Sequence, residues 1–522
     1  MLRAEVILPV SEVVDTRSQA TPDAVALQDL AGSVSYRVLA QRVAALAGQL
    51  RASGIRPGER VGVYMANGTA WVEATLATVR AGAVSVAVPA QANAAEAAFM
   101  LADSEVRATF VDADHLEAAR AAVAAEPGLE GTVLHCALAG PPPHGQHAFG
   151  TLAGQDGVAE LDAEQDLDAP AWILYTSGTT GRPKGVLLTQ RSMMWVVAAG
   201  WLPFFDWQPE DLVLCPLPLT HSYPLDSTLA ALAAGATQFL LAGFSPTATF
   251  DVLEAHSVTV LLGVPTVFSY LLAEAEASGR RYARRTLRMC VSAGAVLAPE
   301  VGDRATAMLG APILDAYGAT EASTAITMCG LHGTHPRGSC GVSLPGMALR
   351  VVDPVTDADR AADQEGEVIA RGPGIMLGYH NRPEETAAAL RDGWYRTGDL
   401  GRLDRHGNLS ITGRLKDIII RGGENIAPAE IETVVMELGV VDDCAVVGLE
   451  HAELGEIPVL AVVGAAGTEP GEVTEAVRAF CRARLPRYKR PDQVVVVEAV
   501  PRTGSGKVKR HELREVIEVM AS

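Results

Sequence analysis

Between residues 35 and 88 the apolar positions change period several times, and each change marks the end of one element and the start of another. In "SYRVLAQRVAALAGQLRASG", Leu39, Val43, Leu46 and Leu50 recur at three- and four-residue spacing, which predicts an amphipathic helix closing at Gly54. "RVGVYM" follows as an apolar run short enough for a buried strand. "AWVEATLATVRAGAVSVAV" then repeats the order of helix, glycine and strand. Such alternation predicts an α/β fold with largely parallel strands. "PGLEGTVLHCALAGPPPHGQHAFG" breaks the rhythm as a loop-rich stretch, with its exposed turn at "PPP".

The pattern changes character around "GRLKDIIIRGGENIAP", residues 413 to 428, where polar, glycine-bearing segments flank a short strand. A fresh helix, "PAEIETVVMELG", opens with Pro428 near its first turn. The remaining chain carries its own strands ("CAVVGL", "VLAVV", "QVVVVE") and is about the size of a domain. A boundary is therefore expected near Lys416, giving an N-terminal domain over 1–415 and a C-terminal domain over 416–522. The full length of 522 residues also calls for more than one core.

Charge narrows the class of partner. With 62 acidic against 42 basic residues the chain carries −20, which argues against general binding to nucleic acid or an anionic membrane. An anionic ligand must then meet a local cluster of donors. No apolar stretch reaches the length of a membrane span, and the N-terminus lacks the form of a signal peptide. The seven cysteines show no C-x-x-C pair, which favours reduced, buried thiols and a cytoplasmic setting.

One such donor cluster is "YTSGTTGRPKG", residues 175 to 185, directly after the apolar run "AWIL". Gly178 and Gly181 let the backbone approach an anion closely. Thr176, Ser177, Thr179 and Thr180 supply hydroxyls, and Lys184 a compact positive charge. A polyphosphate suits this set better than an ordinary surface turn does. It is not a P-loop, because Pro183 stands where the second glycine of G-x-x-x-x-G-K-[ST] must fall. "TGSGKVK" fails as well, with Pro501 at the first glycine position and Val508 after the lysine.

Four further stretches share this character: "DAYGATEAS", "WYRTGDLGRLDRHGNLSITGRLKD", "RGGENI" and "PRTGSGK". Together and in this order, the five resemble the signature motifs of the acyl-adenylate-forming superfamily, over a span from about residue 10 to the C-terminus. The resemblance implies a large N-terminal domain of α/β subdomains with a β-barrel-like part, and a small mobile α+β C-terminal domain. It implies ATP, Mg²⁺ and coenzyme A as cofactors. A carboxylate would attack the α-phosphorus of ATP to give an acyl-adenylate and pyrophosphate, and CoA would then take the acyl group. Catalysis of this kind gathers negative charge and neutralises it as it shifts.

By the same resemblance, Glu321 and Thr176 are the Mg²⁺ candidates, Thr320 touches phosphate and Tyr317 lies against adenine. Ala293, Gly294, Ala295, Asp315, Ala316 and Gly318 complete the expected nucleotide site. Asp399 resembles the carboxylate that accepts from both ribose hydroxyls, and Arg414 its cationic neighbour. Lys507 is similar to the lysine that reaches in from the C-terminal domain during adenylation, with Thr176 and His221 as further catalytic candidates. Arg421, Gly422, Gly423 and Glu424 resemble the lining of the channel for the CoA thiol. Lys507 and that channel loop share one domain yet serve different steps, and in the family a rotation about the position of Lys416 resolves the conflict.

The segment "PLPLTHSYPLDSTLAALAAGA" separates branches of the family. Ser222, preceded by His221, stands where amino-acid-activating members place an aspartate. The expected acid pocket draws on His221, Ser222, Tyr223, Gly263, Thr266, Ser292, Gly294, Ala316 and Ala319. Several of these are small, which suggests space for an apolar acid, and no arginine falls among them to hold a second carboxylate. An apolar monocarboxylic acid, medium-chain, cyclic or aromatic, is the expected substrate of a freestanding ligase. Two rivals stand beside it: a ligase whose acceptor is a carrier protein, and a catalytically silent ATP-binding scaffold on the same fold. A homodimer is left open.

Overall fold

The computed structural model describes residues 2–137, 147–148, 165–176, 183–280, 282, 284–451, 453–465, 467–503 and 506–521. The expectations for Ser177, Gly178, Thr179, Thr180 and Gly181, and for the "PPP" turn, lie outside them. The alternation read between residues 35 and 88 is present as a helix Tyr36–Ala52, a strand Arg60–Tyr64, a helix Thr69–Arg80 and a strand Val84–Val88. Leu39, Val43, Leu46 and Leu50 all lie on the buried face of the first helix, at 1% exposure or less. Ser35 caps that helix by accepting from the Val38 amide, supplying an acceptor for a backbone donor that the first turn leaves unpaired.

Two large sheets carry the N-terminal part. In one, eight strands include Lys184–Thr189, Pro170–Thr176, Val84–Val88, Arg60–Tyr64 and Val106–Asp112, the last four running parallel. In the other, the parallel strands Leu212–Cys215, Val260–Gly263, Met289–Ser292 and Ile313–Tyr317 lie side by side. The helices Tyr36–Ala52 and Thr69–Arg80 share one continuous core with residues of both sheets, including Val61, Trp172, Leu214 and Leu261. A third, antiparallel sheet follows, built from Ala348–Val352, Gly366–Arg371, Leu390–Arg391, Trp394–Leu403 and Leu409–Arg414.

The smaller C-terminal domain has its own sheet and its own cores. Strands Val441–His451 and Gly455–Gly464 form a long antiparallel pair, flanked by Gln493–Val496 and by the hairpin Ile419–Arg421 and Glu424–Ile426. Helices Pro428–Val435 and Pro470–Arg484 bury Ile431, Val435, Val473 and Val477 against one face of that sheet. Helix Arg510–Ala521 buries Leu513 and Ile517 against the other. No helix among the described residues is long and apolar enough to cross a membrane. Six of the seven cysteines are free and buried, as expected; the side chain of Cys136 is not described.

Candidate active site

The carboxyl ends of the parallel strands Met289–Ser292 and Ile313–Tyr317 open into a cleft of about 270 Å³. Ligands of open α/β sheets bind at such strand ends. Its walls include Gly294, Asp315, Tyr317, Asp399, Arg414 and Lys507, which come from three separate parts of the chain. Gly294 turns the chain at φ +89 after its strand, a conformation side chains rarely adopt. Gly318 is required for a different reason. A Cβ there would lie 1.9 Å from the carbonyl oxygen of Thr324, so only glycine lets the two backbones pass.

The third sheet supplies an ion pair through its register. Asp399 and Arg414 face each other across adjacent antiparallel strands, and Arg414 Nε donates to Asp399 Oδ1 at 2.8 Å. Tyr317 Oη donates to Asp399 Oδ2 at 2.8 Å, so one buried carboxylate gathers both. Asp315 is less fully satisfied: its Oδ1 is buried without a hydrogen-bond partner, and burial pushes the carboxyl up to about 8, with the Ala316 amide and Ser292 opposing. An uncharged hydrogen-bonding group with an unpaired oxygen on a cleft wall suits a neutral, amino-bearing heterocycle, and the Asp399 cluster beside it suits a polar sugar. The cleft therefore fits a nucleotide.

Glu321 follows in the short turn Thr320–Ala322, where its Oε1 accepts from Tyr379 Oη at 2.8 Å. The Tyr379 ring lies 5.3 Å from Lys184 Nζ. Tyr379 was not among the expected residues. Its position comes from the pairing of Gly378–Tyr379 with Lys184–Thr189, a long-range register that the periodicity of neither segment reveals. Among the described residues there is no cluster of three or more His, Cys, Asp or Glu able to cage a metal. The Glu321 carboxylate is the hard oxygen ligand beside the cleft that suits Mg²⁺, which is commonly held by one or two carboxylates together with substrate phosphates.

A smaller cavity of about 70 Å³ adjoins the cleft, lined by His221, Ser222, Tyr223, Ala316 and Ala319 among others. His221 precedes the helix Ser222–Ala234, and burial followed by the nearby Lys507 charge lowers its imidazole to about 4, so it is neutral at pH 7. Gly263 and Ser292 do not line this cavity. Gly263 lies under the Phe268 ring, where a Cβ would come within 2.9 Å, and Ser292 is fully buried within its strand. Thr266 lines the larger cleft instead, because the C-terminal domain docks there: a Cβ on Gly506 would lie 2.9 Å from Thr266 Oγ1.

Among the described residues of the C-terminal domain, Lys507 alone borders both spaces. Burial and then the Arg414 charge lower its pKa, with Glu321 and Asp399 opposing. The loop that carries it is clamped within its own domain. Arg502 donates to both oxygens of Asp443 and to the Gly506 carbonyl, and the Lys507 amide bonds to Thr503 Oγ1. The other expected loop lies elsewhere. Gly422, Gly423 and Glu424 are exposed at the tip of their hairpin and border neither cavity, while Arg421 ties its base to Asp492 and to the carbonyls of Tyr488 and Arg490. Lys416 is exposed in the turn Leu415–Asp417, next to an ion pair between Asp417 and Arg510.

Known proteins place this arrangement. The family model of the AMP-binding enzyme matches residues 14–380, and that of the AMP-binding enzyme C-terminal domain matches 430–507. The chain is 33% identical over 514 residues to a feruloyl-CoA synthase of an Amycolatopsis species, covering 95% of this chain and 97% of the relative. It is 33% identical over 519 residues to an indoleacetate–CoA ligase of Aromatoleum aromaticum, covering 98% of each. A crystal structure of a benzoate CoA ligase from Burkholderia xenovorans LB400 superposes with a TM-score of 0.88 at 27% identity, covering 97% of this chain and all of that one. With the C-terminal lysine seated beside a nucleotide-sized cleft and both family models matched in order, the chain belongs to the AMP-binding enzyme family.

Proposed function

We propose that the protein is an ATP-dependent acyl-CoA ligase acting on an apolar monocarboxylic acid, with residues 1–415 holding the nucleotide and acid and 416–522 turning about Lys416 between two half-reactions. The observation that carries this reading is the seat of Lys507 at the junction of the two cavities. A carboxylate oxygen of the acid attacks the α-phosphorus, the bond to the β-phosphate oxygen breaks, and pyrophosphate leaves. Lys507 and Arg414 neutralise the charge that develops there. Asp399 and Tyr317 orient the sugar and base, Asp315 meets the base edge, and Lys184 with Thr176 meets the leaving phosphates. Glu321 and Thr176 are the residues that would hold Mg²⁺, which would supply charge neutralisation at the phosphates.

In the second half-reaction a thiol sulfur attacks the acyl carbon, the acyl–oxygen bond to AMP breaks, and the thiol proton is lost. Neutral His221 borders the acid cavity and is free to position the carboxylate without adding charge. The exposed "RGGE" hairpin is the part of the C-terminal domain available to line the thiol path once that domain turns. It would serve a carrier-protein pantetheine arm by the same geometry as CoA. Incubation with ATP, Mg²⁺, a panel of carboxylic acids and either CoA or a carrier protein tests the reading, with pyrophosphate and thioester masses as readouts. Absence of pyrophosphate release with every acid would refute it.

A further inference from the structure

One wall of the acid cavity is built on an interrupted helix. Residues Val197–Trp201 form a π turn inserted between the helical segments Gln190–Val196 and Leu202–Phe205. Such insertions turn a side chain away from the face an uninterrupted helix would give it. Here it brings Trp201 to the cavity, stacked on Tyr223 with ring centres 5.8 Å apart and planes 10° from parallel. Phe205 and Trp207 pack on Trp201 at 5.4 and 5.6 Å. Tyr223 is itself anchored, its hydroxyl donating to the Val291 carbonyl at 2.9 Å.

The indole is fixed by an acid. Trp201 Nε1 donates to Asp226 Oδ2 at 2.7 Å, and Asp226 is completely buried. Burial raises that carboxyl well above the usual range, with the Trp201 and Thr324 hydrogen bonds opposing. Met328 completes this wall, held close because residue 200 is glycine: a Cβ there would lie 3.0 Å from Met328 Sδ.

We infer that Trp201, positioned by Asp226 and backed by Tyr223 and Met328, is the specificity-determining end stop of the acid pocket, and that it limits the substrate to a compact apolar acid no larger than one aromatic ring. This rests on the ligase reading above. A cavity of roughly 150 Å³ takes benzene. The space here is about 70 Å³, so a single ring enters only as the flexible Met328 yields, and a longer chain or a fused ring meets Trp201, which has neighbours on both sides. Asp226 acts through Trp201 and touches no substrate, so it is a positioning residue.

The test measures kcat/KM for pyrophosphate release with butyrate, benzoate, octanoate and 2-naphthoate, and takes the ratio of each larger acid to the better of the two small ones. Wild-type protein should give ratios below about one-tenth, and Trp201→Ala should raise them about tenfold or more. Met328→Ala, on a different element, should shift the ratios in the same direction. Asp226→Asn, which keeps an acceptor for the indole, should leave them at the wild-type value, while Asp226→Leu should raise them. A loss of stability alone lowers all acids together and does not move a ratio. Wild-type turnover of octanoate or 2-naphthoate equal to that of the small acids would overturn the inference and leave the ligase reading standing. So would unchanged ratios in folded Trp201→Ala and Met328→Ala. No pyrophosphate from any acid would overturn both.

Discussion

Replacing Lys507 by alanine separates the two half-reactions more cleanly than any other single change. Lys507 is the C-terminal-domain charge that reaches both the cleft and the acid cavity, and its surroundings pull in opposite directions: burial, then Arg414 and Lys416, disfavours the ammonium, while Glu321 and Asp399 favour it. The added negative charge of the adenylation transition state tips that balance. Losing one such charge-assisted contact costs on the order of 3 kcal/mol, or about a hundredfold in rate. Pyrophosphate release should therefore fall by about that factor, while preformed acyl-adenylate and CoA still give thioester. The pH dependence supplies a second signature. Because the lysine pKa is lowered, its charge is present below a value under the ordinary lysine range and is lost as pH rises through it. Adenylation should show an alkaline limb there, and Lys507→Arg, if active, should lose that limb. Equal loss of both half-reactions in Lys507→Ala, or an unchanged limb in Lys507→Arg, would refute the role assigned to this residue.

Gly423→Leu should do the reverse: no atom lies within 4 Å of a Cβ there, but φ is +88, so the change strains the hairpin by about 1–2 kcal/mol and obstructs the thiol path while pyrophosphate release persists. Both half-reactions measured on one preparation check it. Gly318→Ala should destabilise the protein by about 3 kcal/mol or more, since its Cβ meets backbone at 1.9 Å; a urea midpoint within error of wild type would contradict this. Tyr379→Phe removes the donor to Glu321, a loss of about 1–2 kcal/mol, and should raise the Mg²⁺ concentration for half-maximal pyrophosphate release about tenfold. An unshifted Mg²⁺ titration would count against Tyr379. His221 is held neutral, with a pKa of about 4 against 6.5, so its contribution of about 3 kcal/mol is present above pH 6.5 and is lost as pH falls towards 4. The stability difference between wild type and His221→Asn should shrink over that window, as read by denaturant melts at each pH.

What could be read in the sequence was whatever depends on near neighbours. The helix carrying Leu39 and Leu50 and the strand after it follow from spacing alone, and both are present. Gly294, Tyr317, Asp399, Arg414 and Lys507 were nameable only because the motifs around them resemble those of a known family, and the fold brings them to one cleft. Tyr379 was not, because its contact with Glu321 spans 58 residues and depends on a two-residue strand pairing. Trp201 was hidden for another reason. Every residue from Ser192 to Leu202 is buried, so spacing marks no face there, and the π turn inserts an offset that spacing does not record. Gly263 and Ser292 were placed in the acid pocket on size, yet a small residue serves close packing equally well, and that is where both stand.

The two loops of the C-terminal domain explain why the proposed rotation has to involve the whole domain. Arg502 and Asp443 clamp the Lys507 loop to the strand Val441–His451, and the bridge between Arg502 and Val508 closes it. Arg421 clamps the other hairpin to Asp492 and to the carbonyls of Tyr488 and Arg490, at the start of the strand Gln493–Val496. Both strands flank Gly455–Gly464 in one sheet, so neither loop can exchange with the other without that sheet moving. The turn Leu415–Asp417 is where such a motion meets least resistance, since Lys416 is exposed and the turn buries no residue. Arg510 bonds Asp417 at 3.3 Å and Glu432 at 2.8 Å, which ties the far side of the turn to helices of the C-terminal domain. The joint therefore falls on the Arg414 side of Asp417, and Arg414 itself is held to Asp399 in the N-terminal sheet. Only Leu415 and Lys416 lie between the two anchors, so a proline at Lys416, which fixes φ near −65°, should slow thioester formation and leave pyrophosphate release at the first turnover intact.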